Sequence, residues 1–212
     1  MNIVLFGGPG SGKGTQAQYL SRLYDLPAIS TGDILRNTVN VDQSLKKRVE
    51  RLLAEGQLVP DDVIVELLEE RIKQDDCKSG VILDGFPRNT NQAKMLGGIL
   101  GDEHLKSTVI IFLDVPEDEL IKRLTGRFTC KSCGEVYHKV YKKTLKEGVC
   151  DRCGSSEFAY RDDDHHNAVQ ERLRVYAETT MPVTEYFDGA NKLTRINSIG
   201  SMGEIFESIK AV

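Results

Sequence analysis

A chain of 212 residues can bury a sizeable core without disulfides or oligomerisation, so one monomeric unit carrying insertions is expected. Hydrophobic residues at 40% and charged residues at 28% speak against both a disordered chain and a membrane-embedded one. The formal net charge of -4 speaks against a face built to neutralise nucleic-acid phosphates, although local arginine clusters can still hold small phosphates.

The opening MNIVLFGG has no basic region, and glycine interrupts its apolar run too early for a signal peptide or a spanning helix. A cytoplasmic protein is therefore expected. Residues 2–6 read as a short buried strand, followed by a glycine-rich loop and a helical pattern from Lys13 to Leu23. Gly7 to Lys13 fits G-x-x-x-x-G-K in the strand–loop–helix setting that the motif requires. Gly10, Ser11 and Gly12 let successive N–H groups converge on a phosphate, the helix start adds partial positive charge, and Lys13 adds a full one. Gly14 stands where a strict phosphate loop has Ser or Thr, so Thr15 or a neighbour is expected to meet a magnesium shell.

Residues 30–60 read as short helices with no strand between them. Further buried strands are expected at 81–83, 109–113 and 193–196, separated by helical stretches. Such alternation implies an α/β fold, a P-loop NTPase-type parallel sheet flanked by helices. Asp84 then sits at the C-terminal end of a strand beside the phosphate loop, placed to hold Mg²⁺ through water; Asp33 is a weaker candidate.

The chain has five cysteines. Cys130-x-x-Cys133, sixteen intervening residues, and Cys150-x-x-Cys153 form a metal signature in which each C-x-x-C turn offers two thiolates to one tetrahedral ion. Four soft ligands leave no open position, which implies structural Zn²⁺, with iron able to substitute. His138 could approach this ion, but the cysteines already fill it. Cys77 is a spare thiol. A zinc-ribbon nucleic-acid module is the rival reading, favoured by Lys131, Lys139, Lys142, Lys143 and Lys146 and disfavoured by the ribbon's place between Arg127 and Arg161.

Beyond the phosphate loop GGPGSGKGTQ, three blocks follow in order: STGDILR from Ser30 to Arg36, DGFPR from Asp84 to Arg88 with Gln92, and RDDD from Arg161 to Asp164 with Arg172. Together they resemble the long-lid adenylate kinases over nearly the whole chain. The resemblance implies reversible, in-line, Mg²⁺-dependent transfer, ATP + AMP = 2 ADP. It implies a core of residues 1–29, 61–126 and 165–212, a monophosphate-binding insertion 30–60 and a zinc-ribbon-like lid 127–164.

It also implies roles. Arg36 and Arg88 take the AMP phosphate, a dianion suited to arginine's planar fork. Thr31, Gln57, Leu58, Val59, Gly85, Phe86, Pro87 and Gln92 surround the acceptor. Gly10 to Thr15, Arg123, Arg127, Val136, Tyr137 and Gly200 serve ATP. Arg161 and Arg172 join as the lid shuts, completing a catalytic set of Lys13, Asp84, Arg88, Arg127, Arg161 and Arg172. The sequence departs from the family at Asn167, where many relatives have an acid, at Asn89, where Thr is common, and at Gly200, where some carry lysine. A UMP/CMP-type kinase and a non-enzymatic ATP-binding switch are the alternatives.

Overall fold

The computed structural model describes residues 1–37, 43–190 and 192–212. Its central feature is a five-stranded sheet in the order β2-β3-β1-β4-β8, built from β1 (Asn2–Gly7), β2 (Ala28–Ser30), β3 (Ile82–Asp84), β4 (Thr108–Asp114) and β8 (Leu193–Asn197). Every neighbouring pair runs parallel, with Leu5 opposite Asp84 on one side and Ile111 on the other. The expected α/β architecture is therefore present.

Side chains alternate across the pleat. One face sends Val4, Phe6, Leu83, Ile110 and Phe112 into a core shared with α4 (Asp61–Ile72), α5 (Thr90–Leu100) and α9 (Met181–Asp188). The other face sends Ile3, Leu5, Ile82, Ile111 and Leu113 against Ala17 and Leu20 of α1 (Lys13–Tyr24) and Ile205 and Ile209 of α10 (Met202–Lys210). With both faces covered, the central strands β1, β3 and β4 read as largely apolar runs.

The strand order reverses beside β1, and in such sheets ligands bind outside the carboxyl ends at that point. β2 has no matching signal in the sequence. It is a three-residue edge strand whose Ala28 is exposed and Ile29 buried, so it lacks the apolar run that marks β1, β3 and β4; β8, at the other edge, is likewise not buried and has Arg195 exposed. β3 extends one residue beyond the expected run and so includes Asp84.

Within residues 30–60 lie α2 (Thr31–Asn37) and α3 (Gln43–Ala54). After α6 (Asp102–Lys106), β4 and α7 (Glu117–Thr125), the chain leaves the core as an antiparallel ribbon, β6-β5-β7, formed by β5 (Arg127–Cys130), β6 (Val136–His138) and β7 (Phe158–Ala159). It returns through a single helical turn at Asp162–Asp164 into α8 (His166–Val175). The ribbon's interior is small. Tyr137 is stacked on Phe128 at 5.6 Å, and Phe158 meets both rings edge-on, beside the buried Cys130 and Cys150.

Candidate active site

β1 ends where its backbone must turn sharply. Gly7 has φ 142, and a Cβ there would lie 2.7 Å from the Leu113 carbonyl oxygen, so only glycine fits. The loop delivers the chain into α1, which starts at Lys13 with no side-chain cap on Gly12 and no acidic residue in its first turn. Its first N–H groups and dipole remain available to an anion. The Lys13 ammonium donates to the carbonyls of Gly7 and Gly8, 2.9 Å each. It thereby occupies the loop's own concavity.

Asp84 lies across from the loop, its Oδ2 3.2 Å from where a Gly14 side chain would begin. A side chain at position 14 would come into tight contact with this carboxylate, which would have to shift by a few tenths of an ångström. Both charges sit on the floor of the cleft. Desolvation lowers the Lys13 pKa to about 8, opposed by Asp84 and reinforced by Arg88, Arg172 and Arg127. Desolvation likewise pushes the Asp84 carboxyl up, opposed by Lys13 and Arg88.

The cleft has a volume of about 930 Å³, and Arg88, Arg123, Arg127, Arg161 and Arg172 line it together with Gly10, Gly12, Thr15 and Gly200. Arg127 at the root of β5 donates to both oxygens of Asp164, at 2.7 and 2.5 Å. Arg172 on α8 donates to Asp164 at 3.1 Å and to Asp163 at 2.8 Å. Arg123 on α7 donates to Glu119 at 2.9 Å and to the Ser198 carbonyl at 3.0 Å. Tyr141, not foreseen from the sequence, has its ring centre 5.8 Å from the Arg123 guanidinium carbon and its hydroxyl 3.1 Å from Glu119. Arg123 and Tyr141 are eighteen residues apart across the lid root, so no local spacing links them.

After Asp84, Gly85 has φ 81, and a Cβ there would meet Thr31 Oγ1 and Arg88 Nη2 at 3.0 Å. Both side chains donate to the Gly85 carbonyl, Thr31 Oγ1 at 2.9 Å and Arg88 Nε at 2.8 Å. Thr31, Gln57, Leu58, Val59, Gly85, Arg88 and Gln92 line a small pocket of about 10 Å³. Phe86 is buried beneath it and Pro87 faces the main cleft. The Arg36 side chain lies outside the described residues. Val136 and Tyr137 border the cleft, but Tyr137 is only 1% exposed as a residue, its ring packed in the lid core.

In the lid, the Sγ atoms of Cys130, Cys133, Cys150 and Cys153 all lie within 4.8 Å of one another, and all four cysteines are free thiols. The Cys130–Cys153 and Cys133–Cys150 sulfurs are 3.6 Å apart. A tetrahedron with metal–sulfur bonds of about 2.3 Å has edges of about 3.8 Å, so the donor set fits an ion. His138 is turned elsewhere. Its Nε2 is 3.2 Å from the Lys122 carbonyl, and its Nδ1 accepts from the Val140 and Tyr141 N–H groups.

This geometry joins a phosphate cradle to converging guanidiniums, and comparison with known proteins decides the family. The adenylate kinase family model matches residues 5–192. The chain belongs to the adenylate kinase family. It is 45% identical over its full length to an adenylate kinase of Thermodesulfovibrio yellowstonii, covering 98% of that protein. It is 44% identical to an adenylate kinase of Syntrophobacter fumaroxidans, covering 99%, and 41% identical to one of Archaeoglobus fulgidus, covering 97%, again over the whole chain. As an adenylate kinase it is an enzyme, an ATP:AMP phosphotransferase of the nucleoside monophosphate kinase class.

Proposed function

We propose that ATP is held by the phosphate loop and lid root, AMP by the Thr31–Gln92 pocket, and that the two phosphate chains meet between Lys13 and the arginines. The observation that carries this reading is the convergence of Lys13, Arg88, Arg123, Arg127, Arg161 and Arg172 on one cleft from separate segments. An AMP phosphate oxygen is already anionic at neutral pH and needs no general base. The remaining task is to bring two polyanions in line, offset their repulsion and exclude water.

Lys13 would leave the Gly7 and Gly8 carbonyls for the transferring phosphoryl. Arg88, with Arg36, would orient the acceptor phosphate. Arg127, Arg161 and Arg172 would spread over the oxygens that gain charge, and Arg123 with Gly200, Val136 and Tyr137 would frame the donor nucleoside. Asp84 and Thr15 would hold Mg²⁺, which when bound offsets phosphate charge and aligns the oxygens. The four lid cysteines would hold Zn²⁺ as a structural ion. The ribbon's insertion in this cleft, between Arg127 and Arg161, favours a lid over a nucleic-acid module, and the enzyme would act as a cytoplasmic monomer. Among the described residues no helix is long and apolar enough to cross a membrane.

The test is ADP formation from ATP and Mg²⁺ with AMP, CMP or UMP as acceptor. Strong preference for AMP supports the reading; equal or greater turnover of CMP or UMP overturns the acceptor assignment, and nucleotide binding without turnover overturns the assigned chemistry.

A further inference from the structure

We propose that Asp61 is a positioning residue that fixes the sense of the Gln92 carboxamide, so that the acceptor pocket reads an adenine edge and rejects a hypoxanthine edge. The inference rests on the reading above that Gln92 faces the acceptor base.

Gln92 is 2% exposed in the first turn of α5 and lines the acceptor pocket. A carboxamide has nearly the same shape after a flip, but the flip exchanges donor for acceptor. Two partners of fixed sense decide between the orientations. The Arg88 backbone N–H can only donate, and the atom 2.7 Å from it is Gln92 Oε1. The ionised Asp61 carboxylate can only accept, and the atom 2.7 Å from its Oδ1 is Gln92 Nε2. A flipped Gln92 would set oxygen against carboxylate and N–H against N–H. Both contacts would be repulsive in a buried setting.

Asp61 is itself held in place. Asn89 Nδ2 donates to its Oδ1 and Asn91 Nδ2 to its Oδ2, each at 2.8 Å. Asn89 cannot be reversed either, because its Oδ1 accepts the Gln92 N–H at 2.8 Å and caps α5. Burial raises the Asp61 pKa, but hydrogen bonds from Asn91, Asn89 and Gln92 outweigh it and keep the carboxyl below its ordinary range. Its position in the first turn of α4 also favours negative charge. Asn89, a departure from the family's common Thr, thus has a definite role in this chain: its amide bridges the α5 cap to Asp61.

After these bonds Gln92 retains an N–H and an Oε1 lone pair. Adenine offers an N6 amino donor beside an N1 acceptor and matches that pair. Hypoxanthine offers an O6 acceptor beside an N1–H donor and needs the flipped amide. The Asp61 carboxylate therefore contributes to choosing AMP over a 6-oxopurine monophosphate such as IMP.

The experiment compares kcat/KM for AMP and IMP, with ATP and Mg²⁺, in the wild type, Asp61→Asn, Asp61→Ser and Gln92→Leu. An asparagine or serine can donate as well as accept, so each lifts one of the two penalties on the flip. Both Asp61 variants should lower the AMP-over-IMP ratio by about tenfold, with KM for ATP unchanged. Gln92→Leu should raise KM for AMP by about tenfold. If Gln92→Leu acts but both Asp61 variants lower AMP and IMP turnover by the same factor, Asp61 is merely structural and the inference falls alone. If Gln92→Leu leaves KM for AMP unchanged, Gln92 does not face the base and the underlying reading falls with it.

Discussion

Arg127 and Asp164 form a two-point ion pair, 2.7 and 2.5 Å, in which the carboxylate is only 3% exposed and joins the residue that opens the lid to the turn that closes it. Asp164 also receives Arg172 from α8, so one buried anion holds guanidiniums from lid and core together. Each cation is thereby presented to the cleft without rotamer freedom, which is what alignment of reacting phosphates requires.

Asp164→Ala should therefore act on rate more than on affinity. Arg127 loses both of its bonds to Asp164 while Arg172 keeps Asp163, so kcat is expected to fall on the order of 10²-fold with smaller changes in KM. Removing one partner of a buried pair should also cost about 3 kcal/mol of stability. Steady-state kinetics with a urea titration checks both. An unchanged kcat would show that the pair only braces the lid root.

Lys13 gives a prediction about protons. Its pKa of about 8 in the folded chain lies below its ordinary 10.5, so between these values the unfolded chain binds more protons. Stability contributed by this group therefore rises with pH across that window, the sign opposite to that of a lysine gaining a partner. Bound triphosphate supplies the missing counter-charge and raises the pKa again. ATP binding near pH 8 should take up protons, measured as a buffer-dependent heat in calorimetry. Lys13→Met should abolish the uptake, stay folded and lower kcat by about 10³-fold; buffer-independent heats in the wild type would refute the depressed pKa.

Arg88 gives a test of the proposed separation of the two nucleotide sites. Its Nε is anchored on Gly85 and its backbone carbonyl accepts from Thr180 at 2.7 Å, so the guanidinium is held beside the acceptor pocket. Arg88→Ala is expected to raise KM for AMP by about ten- to a hundredfold, as for loss of a hydrogen bond to a charged group, while ATP binding changes little. Equal losses for both nucleotides in titrations would show that the pockets have been exchanged.

The legible parts of this protein were those with local signals. The apolar runs at 2–6, 81–83 and 109–113 mark strands because the middle of a parallel sheet is buried on both faces, and Gly7 to Lys13 marks the phosphate loop because only glycine tolerates its turn; the strand expected at 193–196 is present, but as an edge strand with Arg195 exposed and not as a buried one. β2 was hidden because a short edge strand needs no apolar run. Tyr141, Glu119 and Asp61 were hidden for a different reason. Each acts through a partner fixed by the fold, and a tyrosine, glutamate or aspartate on an exposed-looking helix or lid segment reads as surface until its partner is placed.

The lid sulfurs support the sharpest separable prediction. Cys130, Cys133, Cys150 and Cys153 cluster within 4.8 Å, and the apolar cluster around them adds little more than the Phe128, Tyr137 and Phe158 trio. So small a core cannot stabilise a ribbon alone, and a site formed only in the folded state turns metal binding into folding free energy. Metal analysis should find about one Zn²⁺ per chain. Chelation, or Cys150→Ser, should lower the melting temperature by several degrees for a loss on the order of 1–3 kcal/mol. Lys13, Asp84 and Arg88 stand outside the ribbon, so ADP formation at moderate temperature should persist, with lid closure as the step that suffers. Tyr137 gives an internal check, since its hydroxyl accepts the Asp151 N–H at 2.8 Å and lies 3.4 Å from Cys150 Sγ. Tyr137→Phe should loosen the same knuckle and lower metal affinity without touching a ligand. A metal-free enzyme as heat-stable as the loaded one, or one that is folded and closes its lid yet makes no ADP, would overturn a purely structural role for the ion.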